Sequence, residues 1–202
     1  DVCSSDLSKI EKIDNLIKDF GMPMGPFTLA DTVGVDVGYK VACILNEAYG
    51  NRMPIASIIE KMYDAKLFGA KTEAGFYEYA GRDIYPNAHV TYMLENNNKI
   101  IEDEEIVQRC IYIMINEASR CLEENIVTDA SIIDFAMISG TGFPAYKGGL
   151  LNYANEIGLK NILESLRKFE KEYGSRFTPS NLLIKLVEEY EDFETGEALW
   201  KH

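Results

Sequence analysis

The chain has 202 residues, 47% of them hydrophobic and 26% charged, with a formal charge of −13 and a pI near 4.6. That is enough apolar material for one globular domain or two small ones and argues against disorder, while the negative field disfavours nucleic acid and anionic lipid as partners. There is no apolar run of about eighteen residues and no basic-plus-apolar leader, so neither a membrane span nor a signal peptide is expected.

The first seven residues, DVCSSDL, lack helical periodicity and match the translation of a common sequencing-library adapter; a non-native leader is expected at 1–7. From Ser8, SKIEKIDNLIKDF reads as a short helix. FGMPMGPFTLADTVG follows. Proline fixes φ and glycine permits positive φ, so residues 21–27 predict a stiff elbow, with Pro26 at the first position of the next helix and Gly25 allowing another backbone or a ligand to come close. The elbow displays Met22, Met24 and Phe27. Such soft apolar side chains suit either the core between helices or a pocket for an acyl chain.

VDVGYKVACILNEAYG predicts a helix capped by Asp36, with Val41, Ile44, Leu45 and Ala48 on one face and Gly50 as the stop. AGFYEYAGRDIYP alternates aromatics with glycine and reads as extended or turn-like. A helix of about five turns is expected from residue 104 to about 124, its apolar face made by Val107, Cys110, Met114, Ala118 and Cys121. Asn116 and Glu117 fall inside it, where a buried amide needs a partner; a structural role is expected. LKNILESLRKFEKEYG is a further helix ending at Gly174, and TPSNLLIKLVEEY opens on Thr178 and Pro179 as a cap-and-proline pair.

The chain also resembles itself. Ile13 and Asp14 align with Ile133 and Asp134, Gly21 with Gly142 and Pro23 with Pro144. After a three-residue insertion Gly25 aligns with Gly149, Phe27 with Leu151, Asp31 with Asn155, Val33 with Ile157 and Gly34 with Gly158. Two similar helical units are expected, at residues 8–95 and 96–202. A long helix precedes the second elbow but none precedes the first, so the chain is expected to be a piece of a longer polypeptide with an apolar face left uncovered.

Chemical motifs are few. There is no G-x-G-x-x-G and no P-loop, so no phosphate cradle is encoded. Cys3, Cys43, Cys110 and Cys121 lack zinc spacing, and His89 and His202 stand far apart, so no metal site is expected and the cysteines read as thiols in a reducing compartment. His89 reads as a solvated or capping residue.

DFGMPMGPFTLADTVGVDVG, FGAKTEAGFYEY and INEASRCLEENIVTDASIIDFAMISGTGFPAYKGGLLNYANEIG together resemble the C-terminal helical region of L-3-hydroxyacyl-CoA dehydrogenases, in the two-copy arrangement of the multifunctional fatty-acid oxidation complex α-subunit. The resemblance implies an all-α fold of tandem duplicated helical domains, of the 6-phosphogluconate dehydrogenase C-terminal-like type. It implies a parent enzyme that oxidises (3S)-hydroxyacyl-CoA with NAD, which an upstream Rossmann domain holds together with the catalytic residues, and a hydratase domain further upstream. No catalytic and no cofactor-binding residue carries over to this chain. What carries over is the substrate-binding elbow, Met22, Pro23, Met24, Gly25, Pro26 and Phe27, on the acyl side of the cleft.

Lys66, Lys71 and Arg82 are the cations near the extended segment, and the CoA head group is expected on other domains. The second elbow, with Tyr146 and Lys147, is expected to support the first. A thiolase is a candidate partner and a bacterial cytoplasm the expected compartment, with a mitochondrion or peroxisome for a eukaryotic source. Two other readings stand beside this one: a noncatalytic helical interaction module, and the helical domain of a dehydrogenase for a hydroxyacid not linked to CoA.

Overall fold

The computed structural model describes residues 9–94, 101–190, 192–196 and 199–200; the leader expected at 1–7 lies outside them. The described chain is helical, with a single two-stranded sheet among those residues. It divides into two compact units, Asp1–Phe20 with Met24–Asp103 and Gly21–Pro23 with Glu104–His202.

The first unit runs α1 (Lys9–Phe20), α2 (Pro26–Val33), α3 (Val35–Tyr49), α4 (Ser57–Asp64), a hairpin of β1 (Tyr77–Ala80) and β2 (Asp83–Pro86), and α5 (Ala88–Leu94). α1 buries Ile10, Asp14 and Ile17, spaced as one helical face. Ile10 joins Val35, Met62, Phe76, Tyr77 and Val90 in the core, with Phe27 packed against Phe76 at 4.6 Å between ring centroids. The glycine-punctuated aromatic segment is extended as read, pairing antiparallel from Tyr77 opposite Pro86 to Ala80 opposite Asp83. A lone two-stranded ribbon is marginal in water; this one is anchored because Phe76 and Tyr77 belong to the core.

Asp36 is not the cap of α3. Gly34, at φ 103°, holds that position without a side-chain bond, and Asp36 sits in the first turn, ion-paired with Lys71. A carboxylate there still faces the positive end of the helix dipole. The Lys71 ammonium holds the Asp36 carboxyl below its ordinary range.

The second unit contains α6 (Asp103–Glu123), α7 (Ala130–Ala136) running into a π turn over Met137–Thr141, α8 (Leu150–Ile157), α9 (Leu159–Tyr173) and α10 (Asn181–Glu189). The buried face of α6 is Ile111, Tyr112, Ile115, Asn116, Ala118, Ser119 and Leu122. Of the face expected from the sequence only Ala118 is in it, because small and aliphatic residues occur all round this helix and the periodicity has no unique solution. Asn116 is 2% exposed and fully engaged with backbone: Nδ2 donates to the Thr178 carbonyl at 2.9 Å and Oδ1 accepts from Ser180 N at 2.8 Å. The cap of α10 is Ser180, whose Oγ accepts from Leu183 N at 3.1 Å, two residues beyond the expected Thr178.

Candidate functional site

The first elbow is built around Asp14. Its carboxylate is 1% exposed and accepts from Phe27 N (2.8 Å), Thr28 N (2.9 Å), Thr28 Oγ1 (2.6 Å) and the Tyr77 hydroxyl (2.9 Å). The start of α2 is thus capped from another helix: Pro26 has no amide to satisfy, and the orphan amides of Phe27 and Thr28 in the first turn both find an acceptor. This close approach requires Gly25, where a Cβ would lie 2.3 Å from the Asp14 backbone and carboxylate.

The same device stands in the second unit. Asp134 accepts from Leu151 N (2.6 Å) and Asn152 N (3.1 Å) at the start of α8. A Cβ on Gly149 would meet Asp134 at 2.3 Å.

Asp31, in the middle of α2, is also 1% exposed. It accepts from Phe76 N and Tyr77 N, each at 2.9 Å, and from the Tyr79 hydroxyl at 3.1 Å. Burial nevertheless outweighs these donors and raises the pKa of its carboxyl, while the same burial and the neighbouring carboxylates push the hydroxyls of Tyr77 and Tyr79 up. The residue aligned with it, Asn155, accepts from Phe193 N at 3.0 Å.

Against this frame α2, α3 and α4 enclose an apolar groove of about 310 Å³, lined by Pro26, Leu29, Val33, Gly38, Ala42 and Ile59 among others. Leu29 and Val33 on its rim are half exposed. The six elbow residues named from the sequence are distributed as follows. Pro26 lines the groove, Gly25 is buried against Asp14, Phe27 packs on the core, and Met24 is half-buried. Met22 is half-buried and Pro23 exposed, and both group with the second unit, where the Pro23 ring lies against Gly142. Leu29 and Val33 were missed because they read as ordinary helix interior. Asp14 and Asp31 were visible only as aligned positions; the signal for Asp14 is a carboxylate that recurs as Asp134, and for Asp31 a lone carboxylate within the apolar helix PFTLADTV.

His89 is exposed, its backbone N donating to Asn87 Oδ1 at 3.0 Å at the start of α5. Among the described residues no cluster of His, Cys, Asp and Glu could hold a metal ion, and no helix is long and apolar enough to cross a membrane.

The residues present do not fit a dinucleotide. The glycine-preceded helix starts at Gly25 and Gly149, which are the natural seats for a pyrophosphate, are filled by Asp14 and Asp134.

This mostly helical frame with capped elbows is matched by known proteins. A family model described as 3-hydroxyacyl-CoA dehydrogenase, C-terminal domain, matches residues 2–79 and again residues 106–196. The chain belongs to that family. It is 36% identical over 177 residues to the fatty acid oxidation complex subunit alpha of Vibrio vulnificus, covering 87% of this chain and 25% of that protein. It is 37% identical over 183 residues to the subunit of the same name from Idiomarina loihiensis, covering 89% and 26%. The chain therefore spans about a quarter of the length of the curated relatives it matches.

Among solved structures, the dehydrogenase part of multifunctional enzyme 1 from C. elegans superposes with a TM-score of 0.62 at 26% identity, covering 87% of this chain and 41% of that one. The 3-hydroxybutyryl-CoA dehydrogenase of Escherichia coli gives 0.72 at 19% identity, over 88% and 54%, a likeness of fold.

Proposed function

We propose that this chain is the helical C-terminal part of an NAD-dependent (3S)-hydroxyacyl-CoA dehydrogenase of fatty-acid β-oxidation, and that its first unit supplies the acyl side of the substrate cleft. The observation that carries the reading is the family match over both units, joined to an apolar groove that opens beside the elbow at Pro26. The two units are read as repeats of one domain, a reading supported by the matched Asp14 and Asp134 caps. NAD would be held by another part of the parent, where hydride transfer takes place. This chain's residues bind and orient: Met24 and Pro26 present apolar surface to the acyl tail, and the Asp14 cap keeps the start of α2 from yielding. Binding energy from the unreactive tail is what positions the reacting carbon.

The relatives are named as alpha subunits of a complex, which supports a second subunit, a thiolase, as partner and a bacterial cytoplasm as the compartment. The test joins this chain to the NAD-binding dehydrogenase part of a relative and follows NADH formation from 3-hydroxyacyl-CoA at 340 nm. Activity is expected, with Met24→Asp lowering turnover of long-chain substrates more than of short-chain ones. A folded fusion without activity would overturn the dehydrogenase reading, and equal loss at all chain lengths would overturn the acyl role of the elbow.

A further inference from the structure

Asp14 and Asp134 hold aligned elbows, but they do not hold them alike. Asp134 is half-buried and, among the described residues, accepts from backbone amides alone. Asp14 is 1% exposed and accepts from two hydroxyls besides its two amides, those of Thr28 and Tyr77. Asn152, which aligns with Thr28, gives its carboxamide instead to the Lys147 carbonyl at 2.9 Å.

Tyr77 reaches the elbow from the start of β1, 63 residues after Asp14. It is 8% exposed and holds in two places at once. Its hydroxyl donates to Asp14 Oδ2 and its backbone N to Asp31 Oδ2, each at 2.9 Å, so one residue ties the entry of α2 to the middle of α2. The residue before it, Phe76, adds an amide on Asp31 Oδ1 and a ring 4.6 Å from that of Phe27. Burial, and then the Asp14 carboxylate, push the Tyr77 hydroxyl far above its ordinary range, which keeps it protonated and donating.

The second unit shows what this brace is not needed for. An amide-only cap suffices to begin α8, so beginning α2 does not call for a phenol from the hairpin. What two further donors add is a fixed orientation of the carboxylate, and with it of the amides that point at it.

We propose that Tyr77 is a positioning residue for acyl-chain selectivity: through Asp14 its hydroxyl fixes the amides of Phe27 and Thr28, and so the place where Met24 and Pro26 meet the substrate tail. The proposal rests on the dehydrogenase reading given above. Packing contacts with an alkyl chain weaken sharply over a fraction of an ångström. A long tail that reaches the elbow therefore loses binding when the brace is cut, and a short tail does not.

The test has two arms. In the fusion of this chain to a relative's NAD-binding part, Tyr77→Phe should lower the ratio of kcat/KM for 3-hydroxypalmitoyl-CoA against 3-hydroxybutyryl-CoA about tenfold, chiefly through KM. In the ¹⁵N-labelled chain the same variant should move the amide signals of Phe27 and Thr28 and leave those of Leu151 and Asn152 in place. The variant keeps its ring in the core and leaves Asp14 three donors, so it is expected to fold. Tyr79→Phe, which takes a hydroxyl of the same hairpin from Asp31, should leave the ratio unchanged. Asp14→Asn should also lower the ratio, and adding Tyr77→Phe to it should lower it no further. An unchanged ratio in Tyr77→Phe, equal losses on both substrates, unmoved signals at Phe27 and Thr28, the same fall in Tyr79→Phe, or additive losses with Asp14→Asn would each overturn the proposal and leave the dehydrogenase reading standing. An inactive wild-type fusion would overturn that reading and the proposal together.

Discussion

α3 and α9 are both fifteen residues long, and both follow a glycine of positive φ that separates them from an eight-residue helix. Yet α3 buries Val35 alone, whereas α9 buries Leu159, Ile162, Leu163, Leu166 and Phe169. The outward positions of α9 hold Asn161, Ser165 and Lys168, while the aligned positions of α3 hold Val37, Val41 and Ile44, all exposed. Helix length, caps and stop signals are therefore set locally, and burial is set by what the rest of the molecule lays on top. The same frame yields a finished core in one unit and an open apolar surface in the other.

The comparison is broken most directly by truncating aligned core positions. Phe169→Ala should cost about 3–5 kcal/mol and Leu45→Ala, at a position 36% exposed, less than about 1 kcal/mol, as read by urea denaturation. Similar losses would mean that α3 is covered in solution. The caps come next. Asp14→Ala strands four donors, among them the Tyr77 hydroxyl, and is expected to cost about 2–5 kcal/mol. Asp134→Ala removes a two-bond cap and should cost about 0.5–2 kcal/mol; equality of the two would deny that Tyr77 matters.

An effect smaller than that of Asp14→Ala is expected from Asp31→Asn. It turns a carboxylate facing two amides and a hydroxyl into a group that must present N–H to one of them, at about 1.5–3 kcal/mol. Asn155→Asp, with Phe193 N as partner, should be better tolerated, and the reverse order would sink the equivalence of the two positions.

The smallest difference is one of pH. Burial raises the Asp31 carboxyl above its ordinary 3.8, so its contribution to the first unit is fully present below that value and is lost as pH rises through the folded pKa. Lys168, then Tyr173, hold Glu105 below 4.5, so its contribution to the second unit is present above 4.5 and is lost as pH falls through the folded pKa. Amide exchange across this acidic range should therefore slow in the first unit relative to the second as pH falls. Parallel changes in both units would contradict these directions.

The helices were legible because the stops are glycines and the turns prolines, signals that act within a few residues. The caps were less so: Gly34 serves where Asp36 was expected and Ser180 where Thr178 was, since candidate residues cluster and the backbone path chooses among them. The buried face of α6 was illegible from a periodicity that several stripes satisfy. At the site, Pro26 and Gly25 were legible as backbone chemistry. The groove rim of Leu29 and Val33 was not, because the same residues spell a core face, and their exposure is set by packing that the local sequence does not encode.

Asp31 carries one more consequence. Its hydrogen-bond partners Phe76, Tyr77 and Tyr79 follow it by 45 to 48 residues. During synthesis α2, the helix that follows the elbow, would keep the Asp31 carboxylate in water until that later aromatic stretch has cleared the ribosome, so the early segment gains little by docking ahead of it. A single acidic side chain thereby ties the completion of the first half to the arrival of its last third.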